Sequence, residues 1–430
     1  MKDNNEVLGK SMQGKWYVPD KWCVSPYNCV EETRAGFPNI PEKLSIRDVT
    51  LCEGPHQPGV KFKLEDLLKI AFALREAGIT KTKLLIGNFQ TFEFLSVIKQ
   101  EIPDMFIHVI FPIFDYDQYI NSDEKVLLDM DLLVKYGIDE IDIPGNNSWN
   151  IPDHVAKASS QEARLERYAR MTREARSRGL LVEAAHVDST RVPWDDLNEF
   201  HANAVQAGAT SIGIYDSYGT ITPYGMQYLV ERTIKEYNLP VLVHAHNDLG
   251  SAEASTIGGV LGGASEADLS ILGLGDRAGN ASLEEVIMQL ELNYGVKTGV
   301  KLEKLLGVCR LVEKISGIEL PYIKPITGKN VFAHESEAHA SMILSQGVNL
   351  NYASKHEAYA PQVVGGQREV RFGGTSLTGT MIRIRMEQLG LKFGENEIKE
   401  VSNRIREIFV SEHKDISIEE FDEIAYQTCK

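Results

Sequence analysis

The sequence predicts an α/β protein, a (β/α)8 TIM barrel followed by a smaller, mainly helical C-terminal domain. Three observations predict this fold. Short apolar segments alternate with segments of helical periodicity from residue 44 onward, eight such pairs follow one another, and the alternation stops near residue 295. We therefore divide the chain into an N-terminal extension of residues 1–42, a barrel of residues 43–295 and a helical region of residues 296–430.

The predicted strands are short apolar runs bounded by turns. They occupy residues 44–46, 84–86, 106–110, 140–143, 180–185, 211–215, 241–243 and 269–272. The predicted helices carry apolar residues at i, i+3, i+4 and i+7. They occupy residues 64–74, 91–100, 122–136, 161–178, 194–207, 223–237, 252–262 and 283–290. A doubly wound sheet would require a glycine-rich fingerprint after the first strand, and residues 54–57 (GPHQ) do not form one.

The segments outside the barrel have a different character. Residues 1–42 are rich in aromatic side chains and are typical of a loop that packs on the main domain or on a second subunit. In the C-terminal region, residues 300–315, 382–391 and 397–409 have helical spacing.

Composition excludes several classes of protein. The net charge of −16 and the lack of a basic stripe argue against nucleic acid as a partner. No apolar run approaches the roughly 20 residues that a membrane span needs, and the N-terminus (MKDNN) begins no signal core, so we expect a cytoplasmic protein. Five scattered cysteines without a CxxC pair predict neither a disulfide framework nor a zinc finger.

The pair His244 and His246 follows the seventh predicted strand. Residues two apart on a strand point the same way, so both imidazoles can face one point, as a bound metal requires. Two hydrogen-bonded histidines in a loop are the alternative for an isolated pattern of this kind. The metal site is favoured because polar residues also follow other strands, at the end of the barrel where catalytic residues collect. These residues are Glu53, His56, His186, Asp188, Asp216, Ser217, Asp276, Arg277 and Asn280.

Four motifs resemble those of the isopropylmalate and homocitrate synthase family, which shares its metal-dependent barrel with hydroxymethylglutaryl-CoA lyase. Residues 48–60 (DVTLCEGPHQPGV) align without gaps to D-T-T-L-R-[DE]-G-E-Q-x-P-G-V. Residues 244–248 (HAHND) match H-x-H-N-D, and residues 273–280 (GLGDRAGN) are similar to G-x-G-E-R-x-G-N. Residues 334–340 (HESEAHA) resemble H-E-S-G-I-H-A in the family's small second domain.

The resemblance implies that Glu53, His244, His246 and Asn280 are metal ligands. This donor set suits a divalent ion with open positions, with Mn²⁺ expected first and Co²⁺, Zn²⁺ or Mg²⁺ as alternatives. The ion would polarise the carbonyl of an α-keto acid for attack by an enolate made from acetyl-CoA, and the thioester would then be hydrolysed. The resemblance also implies a catalytic role for Glu53, a general acid or base at His339, and a homodimer to which the second domain contributes.

Two catalytic positions of the family are changed. Cys52 replaces an arginine that stabilises the carbonyl or enolate oxygen, and Val187 replaces a catalytic glutamate. Arg47, Arg191 and Arg277 are candidates for the missing cation, and we assign a catalytic role to Arg191 and a substrate-binding role to Arg47. A rival alignment takes Arg47 and the next aspartate as the family's Arg–Asp pair, but it breaks the ungapped match. Cys52 could be a small buried apolar residue or a thiol that makes the enzyme oxygen-sensitive.

Four further residues are expected to bind substrate. His56 replaces a glutamine of the family, and His356 replaces a tyrosine, with Tyr359 close by. Ser217 replaces a threonine of the family and retains its hydroxyl group. His186 lies in an altered strand-five signature, where the alternative is a strand-end histidine bonded to the nearby aspartate.

Three features narrow the expected reaction. The catalytic cysteine of the lyase would fall in the loop that holds Asp276 and Arg277, so condensation is favoured over cleavage. The chain ends soon after the small domain, so we expect no leucine feedback. The new histidines suit a dicarboxylic keto acid, which predicts condensation of acetyl-CoA with oxaloacetate to give citrate, on the Re face. The alternatives are a homocitrate synthase that uses 2-oxoglutarate, an isopropylmalate or citramalate synthase, or a lyase, aldolase or non-catalytic paralogue.

Overall fold

The structure is a computed structural model that describes residues 17–18, 20–86, 91–111, 122–143, 160–347, 356–373 and 377–430. The chain forms two compact units. One unit spans Tyr27–Glu319, and the other combines Met1–Pro26 with Leu320–Lys430. The boundary at residue 319 lies beyond residue 295, where the alternation of strands and helices stops, because the next helix, Leu305–Ser316, packs on the barrel.

The first unit is the predicted barrel. Eight parallel strands close in sequence order, and the eighth strand pairs with the first. The strands are Ser45–Asp48, Lys81–Leu85, Phe106–Ile110, Glu140–Asp142, Leu181–His186, Ser211–Asp216, Val241–Ala245 and Glu266–Leu269. Because all eight run in the same direction, their carboxyl ends meet at one face of the barrel.

A helix follows each strand, as predicted. The helices are Leu64–Glu76, Thr91–Glu101, Asp123–Lys135, Gln161–Ser177, Trp194–Ala207, Pro223–Tyr237, Ala252–Leu261 and Leu283–Gln289. In the first of them Leu67, Ile70, Ala71 and Leu74 are buried, which is the stripe that the i, i+3, i+4, i+7 spacing predicts. Each large aliphatic side chain buried in this way contributes about 1.5–3 kcal/mol to folding.

Two strands were predicted too far along the chain. The second begins at Lys81 rather than at residue 84, and the eighth is Glu266–Leu269 rather than 269–272. Residues Ile271–Gly273 instead form a short 3₁₀ turn with Leu272 at a φ of 62°. Both shifts have the same cause. Each of these strands carries charged residues that face the barrel interior, so the apolar run in the sequence marks only the end of the strand.

The interior of the barrel is polar where a barrel of this kind is normally filled by branched aliphatic side chains. Arg47 on the first strand is fully buried, and its Nη1 donates to Oε2 of Glu183 on the fifth strand at 2.8 Å. Its Nε donates to Oδ1 of Asp268 on the eighth strand at 2.6 Å. Strands one and five stand on opposite sides of the barrel, so this contact crosses the interior. Desolvation of Arg47 is offset by these carboxylates, which raise its pKa well above the ordinary value.

The second unit is helical around its own core. Its helices are Glu337–Gln346, Gly379–Gln388, Glu395–Glu412 and Ile418–Thr428. A short parallel pair, Ala333–His334 with Glu369–Val370, accompanies them. The hairpin of Tyr17–Val18 and Trp22–Cys23 pairs with residues 358–360 of this unit through hydrogen bonds from Cys23 N to Ala358 O and from Ala360 N to Lys21 O. Across the described part of the chain, no helix has the length and apolar character needed to cross a membrane.

Candidate active site

A cavity of about 280 Å³ opens in the barrel unit, among residues at and just beyond the carboxyl ends of the strands. Its lining includes residues that follow strands one, five, six, seven and eight, which is where the sequence predicts the polar residues to collect. The described residues that line it are Cys52, Glu53, His56, Lys83, Leu85, Ile110, Asp142, Ala185, Val187, Tyr215, Ser217, Tyr218, His244, His246, Asp276 and Arg277.

The seventh strand brings two imidazoles together. The Nε2 atoms of His244 and His246 are 3.3 Å apart. His244 Nδ1 is 3.1 Å from Oδ2 of Asp268, a carboxylate of the eighth strand. If Nδ1 carries the proton and donates it to this carboxylate, the lone pair of Nε2 is directed toward His246. Burial lowers the pKa of His246 to about 4, so its ring is neutral at pH 7.

Glu53 supplies an ionised carboxylate at the same face. It ends a short helix, Thr50–Glu53, that begins directly after the first strand. Burial acts to raise its pKa, but a hydrogen bond from His56 and the charges of His244 and His246 outweigh burial and lower the pKa to about 2. Glu53 and the two imidazoles line the same cavity.

His56 and Asp276 are the nearest ionisable neighbours of Glu53. His56 Nδ1 is 3.4 Å from Glu53 Oε2 and 3.9 Å from Asp276 Oδ2. The hydrogen bond to Glu53 raises the pKa of His56. Donor atoms of these three side chains lie within 4.8 Å of one another, a spacing that could hold a metal ion. The two imidazoles of the seventh strand are not part of that group, so the four predicted ligands do not form one tight cluster.

Asn280, the fourth predicted ligand, is buried, and both Oδ1 and Nδ2 of its amide lack a hydrogen-bond partner. Its backbone pairs with that of His246 in an isolated bridge, which joins the eighth strand's loop to the seventh strand. A Cβ added at Gly275 would approach the amide Nδ2 to 2.8 Å, so this glycine leaves room for the amide. The Asn280 side chain is not among the residues that line the cavity. By type, an unpartnered amide, two imidazoles and an ionised carboxylate are donors that suit a divalent metal ion.

Lys83 and Tyr215 also line the cavity, and neither is among the site residues predicted from the sequence. Lys83 is 1% exposed, and its Nζ donates to the Tyr215 hydroxyl at 2.8 Å. Tyr215 Oη in turn donates to Oε1 of Glu183. Burial raises the pKa of the neighbouring Asp142 well above its ordinary value, against the charge of Lys83. The available signal was a lysine at the centre of a short strand, where a buried charge must have a partner.

Three other predicted residues lie at or beside the cavity. Ser217 lines it, and its Oγ accepts a hydrogen bond from the backbone of Asp188 at 2.9 Å. Arg277 lines it too and makes two hydrogen bonds with Asp248, at 2.7 and 2.9 Å. Arg191 is outside the lining residues and forms an ion pair with Asp188 at 2.7 Å. Both arginines are therefore held by carboxylates of the barrel unit.

Arg47 and His186, expected to bind substrate, do not line the cavity. Arg47 is enclosed in the barrel interior by its carboxylate partners. His186 is fully buried, its Nδ1 lies 2.8 Å from the backbone oxygen of Val187 and not at Asp188, and burial lowers its pKa to about 4. A neutral ring in these surroundings provides no cation, so these placements argue against a substrate contact for either residue.

The two altered family positions, Cys52 and Val187, both line the cavity. Burial raises the pKa of the Cys52 thiol well above its ordinary value. The thiol is therefore protonated near neutral pH, and this favours the small apolar residue over the reactive thiol.

His339 and His356 belong to the second unit. Their rings stack with centroids 4.2 Å apart, and both side chains are exposed. Desolvation and the charge of His356 lower the pKa of His339. Tyr359 is more deeply enclosed and packs edge-on against Phe332 at 5.5 Å.

With this geometry established, comparison with known proteins gives the family. Residues 43–312 match the family described as HMGL-like, and residues 326–413 match a domain described as homocitrate synthase post-HMGL domain-like. The chain belongs to the HMGL-like family. The resemblance inferred from the four motifs is thereby confirmed.

Individual relatives agree with this assignment. The chain is 33% identical over 387 residues to a 2-isopropylmalate synthase of Methanocaldococcus jannaschii, an alignment that covers 90% of this chain and 67% of that protein. It is 32% identical over 396 residues to a homocitrate synthase of the same organism, covering 90% of this chain and 91% of the relative. The barrel of Bacillus subtilis HMG-CoA lyase superposes with a TM-score of 0.56 at 20% identity, over 66% of this chain and 96% of the lyase, and shows the fold alone.

Proposed function

We propose that this HMGL-like protein condenses acetyl-CoA with oxaloacetate to give citrate and free coenzyme A, on the Re face of the keto acid. A carbon–carbon bond forms between the acetyl methyl carbon, which loses a proton, and the keto carbon, whose oxygen gains a proton and becomes a hydroxyl. Water then cleaves the thioester, leaving a carboxylate and a thiol. Family membership, with relatives named as 2-isopropylmalate and homocitrate synthases, supports the condensation.

The polar lining of the cavity is the observation that supports oxaloacetate as the proposed substrate. Of its sixteen described lining residues, only Leu85, Ile110, Ala185 and Val187 are aliphatic. A keto acid with a branched alkyl chain gains most from an apolar wall, whereas a second carboxylate requires charged or hydrogen-bonding partners. The ionisable side chains around the cavity therefore favour a small dicarboxylic keto acid.

A divalent ion, with Mn²⁺ proposed first, would be held by Glu53, His244, His246 and Asn280. When bound, such an ion supplies Lewis-acid polarisation of the keto group. Glu53 is ionised and His246 is neutral near pH 7, so neither has to lose a proton before it can serve as a ligand. Asp268 orients His244 through Nδ1.

We propose His339 as the general acid or base and a homodimer as the assembly. The exposure of His339 leaves its ring accessible to a reacting group. The lowered pKa of His339 favours the neutral ring, which can accept a proton.

The test is thiol release by the purified protein under anaerobic conditions with Mn²⁺, acetyl-CoA and one keto acid at a time. Release with oxaloacetate, and citrate as the product by mass spectrometry, is the expected outcome. A chelator should abolish the signal, and added Mn²⁺ should restore it. Equal or faster release with 2-oxoisovalerate or pyruvate would overturn the substrate assignment and support an isopropylmalate or citramalate synthase.

Homocitrate synthesis from 2-oxoglutarate is the second candidate. The match of residues 326–413 to a homocitrate synthase post-HMGL domain, together with the relative of that name, favours it. Release with 2-oxoglutarate and not with oxaloacetate would select it. No release with any keto acid would support the remaining class, a lyase, an aldolase or a non-catalytic paralogue, to which the changes at Cys52 and Val187 point.

A further inference from the structure

Lys83 is a buried cation at the candidate active site that neither the motifs nor the family match assigns. It lies on the second barrel strand, Lys81–Leu85, and lines the cavity together with Tyr215 and His244. Its Nζ bonds to the hydroxyl of Tyr215, on the sixth strand, across the barrel. The side chain is therefore fixed at both ends, by its strand and by a phenol of the opposite wall.

The carboxylate nearest to Lys83 is already committed to other donors. Oδ1 of Asp268 accepts from Arg47 Nε at 2.6 Å, and Oδ2 lies 3.1 Å from His244 Nδ1. Lys83 Nζ is 3.5 Å from that same Oδ2, an ion pair without a short hydrogen bond. The ammonium of Lys83 thus has one neutral partner and one carboxylate that it shares. A further anion would stabilise such a buried ammonium more than it would stabilise an ammonium that already has a carboxylate of its own.

The other cations around the cavity are less suitable. Arg277 is tied to Asp248, and His56 faces Glu53 and Asp276. Lys83 differs because it shares Oδ2 of Asp268 with His244, which brings the ammonium near the imidazole that would hold the metal. A keto acid chelated there through its keto group and first carboxylate would have Lys83 close to its other end.

We propose that Lys83 binds the distal carboxylate of the dicarboxylic keto acid, with Tyr215 holding the ammonium in position. This rests on the proposed function for the identity of the substrate. Lys83 is a specificity-determining residue: it recognises the second carboxylate and leaves the reacting keto group to the metal ligands.

The test compares ligands that differ by that carboxylate. Malate and lactate are stable hydroxy acids that share the chelating group, and only malate has the second carboxylate. Their dissociation constants are measured by calorimetry on the Mn²⁺-loaded full-length protein, for wild type, Lys83→Met and Lys83→Arg. Lys81→Met is the matched control, because Lys81 is on the same strand, pairs with Glu266 and does not line the cavity.

Lys83→Met should weaken malate binding about 10- to 150-fold, the usual value of a charged hydrogen bond, and change lactate binding less than about 3-fold. Lys83→Arg should retain part of the preference for malate, and Lys81→Met should retain all of it. In turnover, Lys83→Met should raise the KM for oxaloacetate far more than it lowers kcat. Melting curves and Mn²⁺ content confirm that each variant is folded and loaded.

The results separate this proposal from the proposed function. Equal loss of malate and lactate binding in folded Lys83→Met, or no loss of either, overturns the role of Lys83 even if wild type makes citrate. If wild type releases no thiol with any keto acid but loses its malate preference in Lys83→Met, the condensation is refuted and the carboxylate site stands. If wild type binds malate no better than lactate, the carboxylate site is refuted.

Discussion

His201 should make the folded protein sensitive to acid. It lies on the helix Trp194–Ala207, is fully buried beside Phe200 and Tyr237, and neither ring nitrogen has a hydrogen-bond partner. Burial, helped by the charge of His186, lowers its pKa from 6.5 to about 3. In the unfolded chain the ring takes up a proton below pH 6.5, whereas in the folded protein it stays neutral until about pH 3. Stability is therefore lost as the pH falls through this window.

The size of the effect follows from linkage. One pKa unit corresponds to about 1.4 kcal/mol, so lowering the pH from 8 to 5 should cost about 2 kcal/mol of unfolding free energy through His201 alone. Replacing the ring by an apolar side chain of similar size removes this proton uptake. His201→Leu should therefore lose about 2 kcal/mol less than wild type over that range, whatever its stability at pH 8.

Urea denaturation at pH 8 and pH 5 gives the stability lost between the two pH values for each protein. The loss in wild type minus the loss in His201→Leu isolates the contribution of His201, because the other titrating groups cancel. His413→Asn is the control, because it removes an exposed histidine with a φ of 52°, a conformation that asparagine tolerates. The control should follow wild type to within about 0.5 kcal/mol. If His201→Leu and wild type lose the same stability between the two pH values, the ring is not held neutral by burial and the reasoning fails.

Three predictions concern the site. Glu53→Ala and His244→Ala should each lose bound metal and nearly all activity while staying folded, and unchanged metal content by elemental analysis of folded protein would reject this ligand set. Gly275→Ala should weaken Mn²⁺ binding, because the added methyl would contact the Asn280 amide at 2.8 Å, and a titration that matches wild type would remove that amide from the site. His339→Ala should lower kcat by about 10²–10⁴, and a rate within a few-fold of wild type would exclude it from proton transfer.

The barrel could be predicted from the sequence because its signal is carried by many residues. Eight apolar runs and eight amphipathic helices agree with one another, so the shifted ends of two strands did not change the count. The HAHND and GLGDRAGN motifs were informative for a similar reason: they fix both residue type and position after a strand. The imidazoles of His244 and His246 face each other, and the Asn280 amide is buried without a hydrogen-bond partner. Their role as metal ligands stays a prediction.

The electrostatics of the barrel could not be predicted in this way. Arg47 looked available for substrate, but Asp268 and Glu183, more than a hundred residues away along the chain, enclose it. Lys83 was missed for the converse reason. A lysine in the middle of a strand signals only that the charge needs a partner, and the partners of Lys83 are contributed by distant strands. Sequence spacing reveals which side of a strand a residue faces, but it does not reveal which charges meet across a closed barrel.

The polar interior and the site at its mouth form one connected structure. Arg47 joins Glu183 to Asp268, Glu183 accepts from Tyr215, and Asp268 contacts both His244 and Lys83. A buried ion-pair network of this kind adds little stability compared with a well-packed aliphatic core, so its value lies elsewhere. It fixes one imidazole that would hold metal and one ammonium that would hold a carboxylate, and both are fixed to the same oxygen of Asp268. The distance between the metal and the distal carboxylate site would thus be set by the rigid barrel, and that distance limits the length of keto acid that can bridge the two.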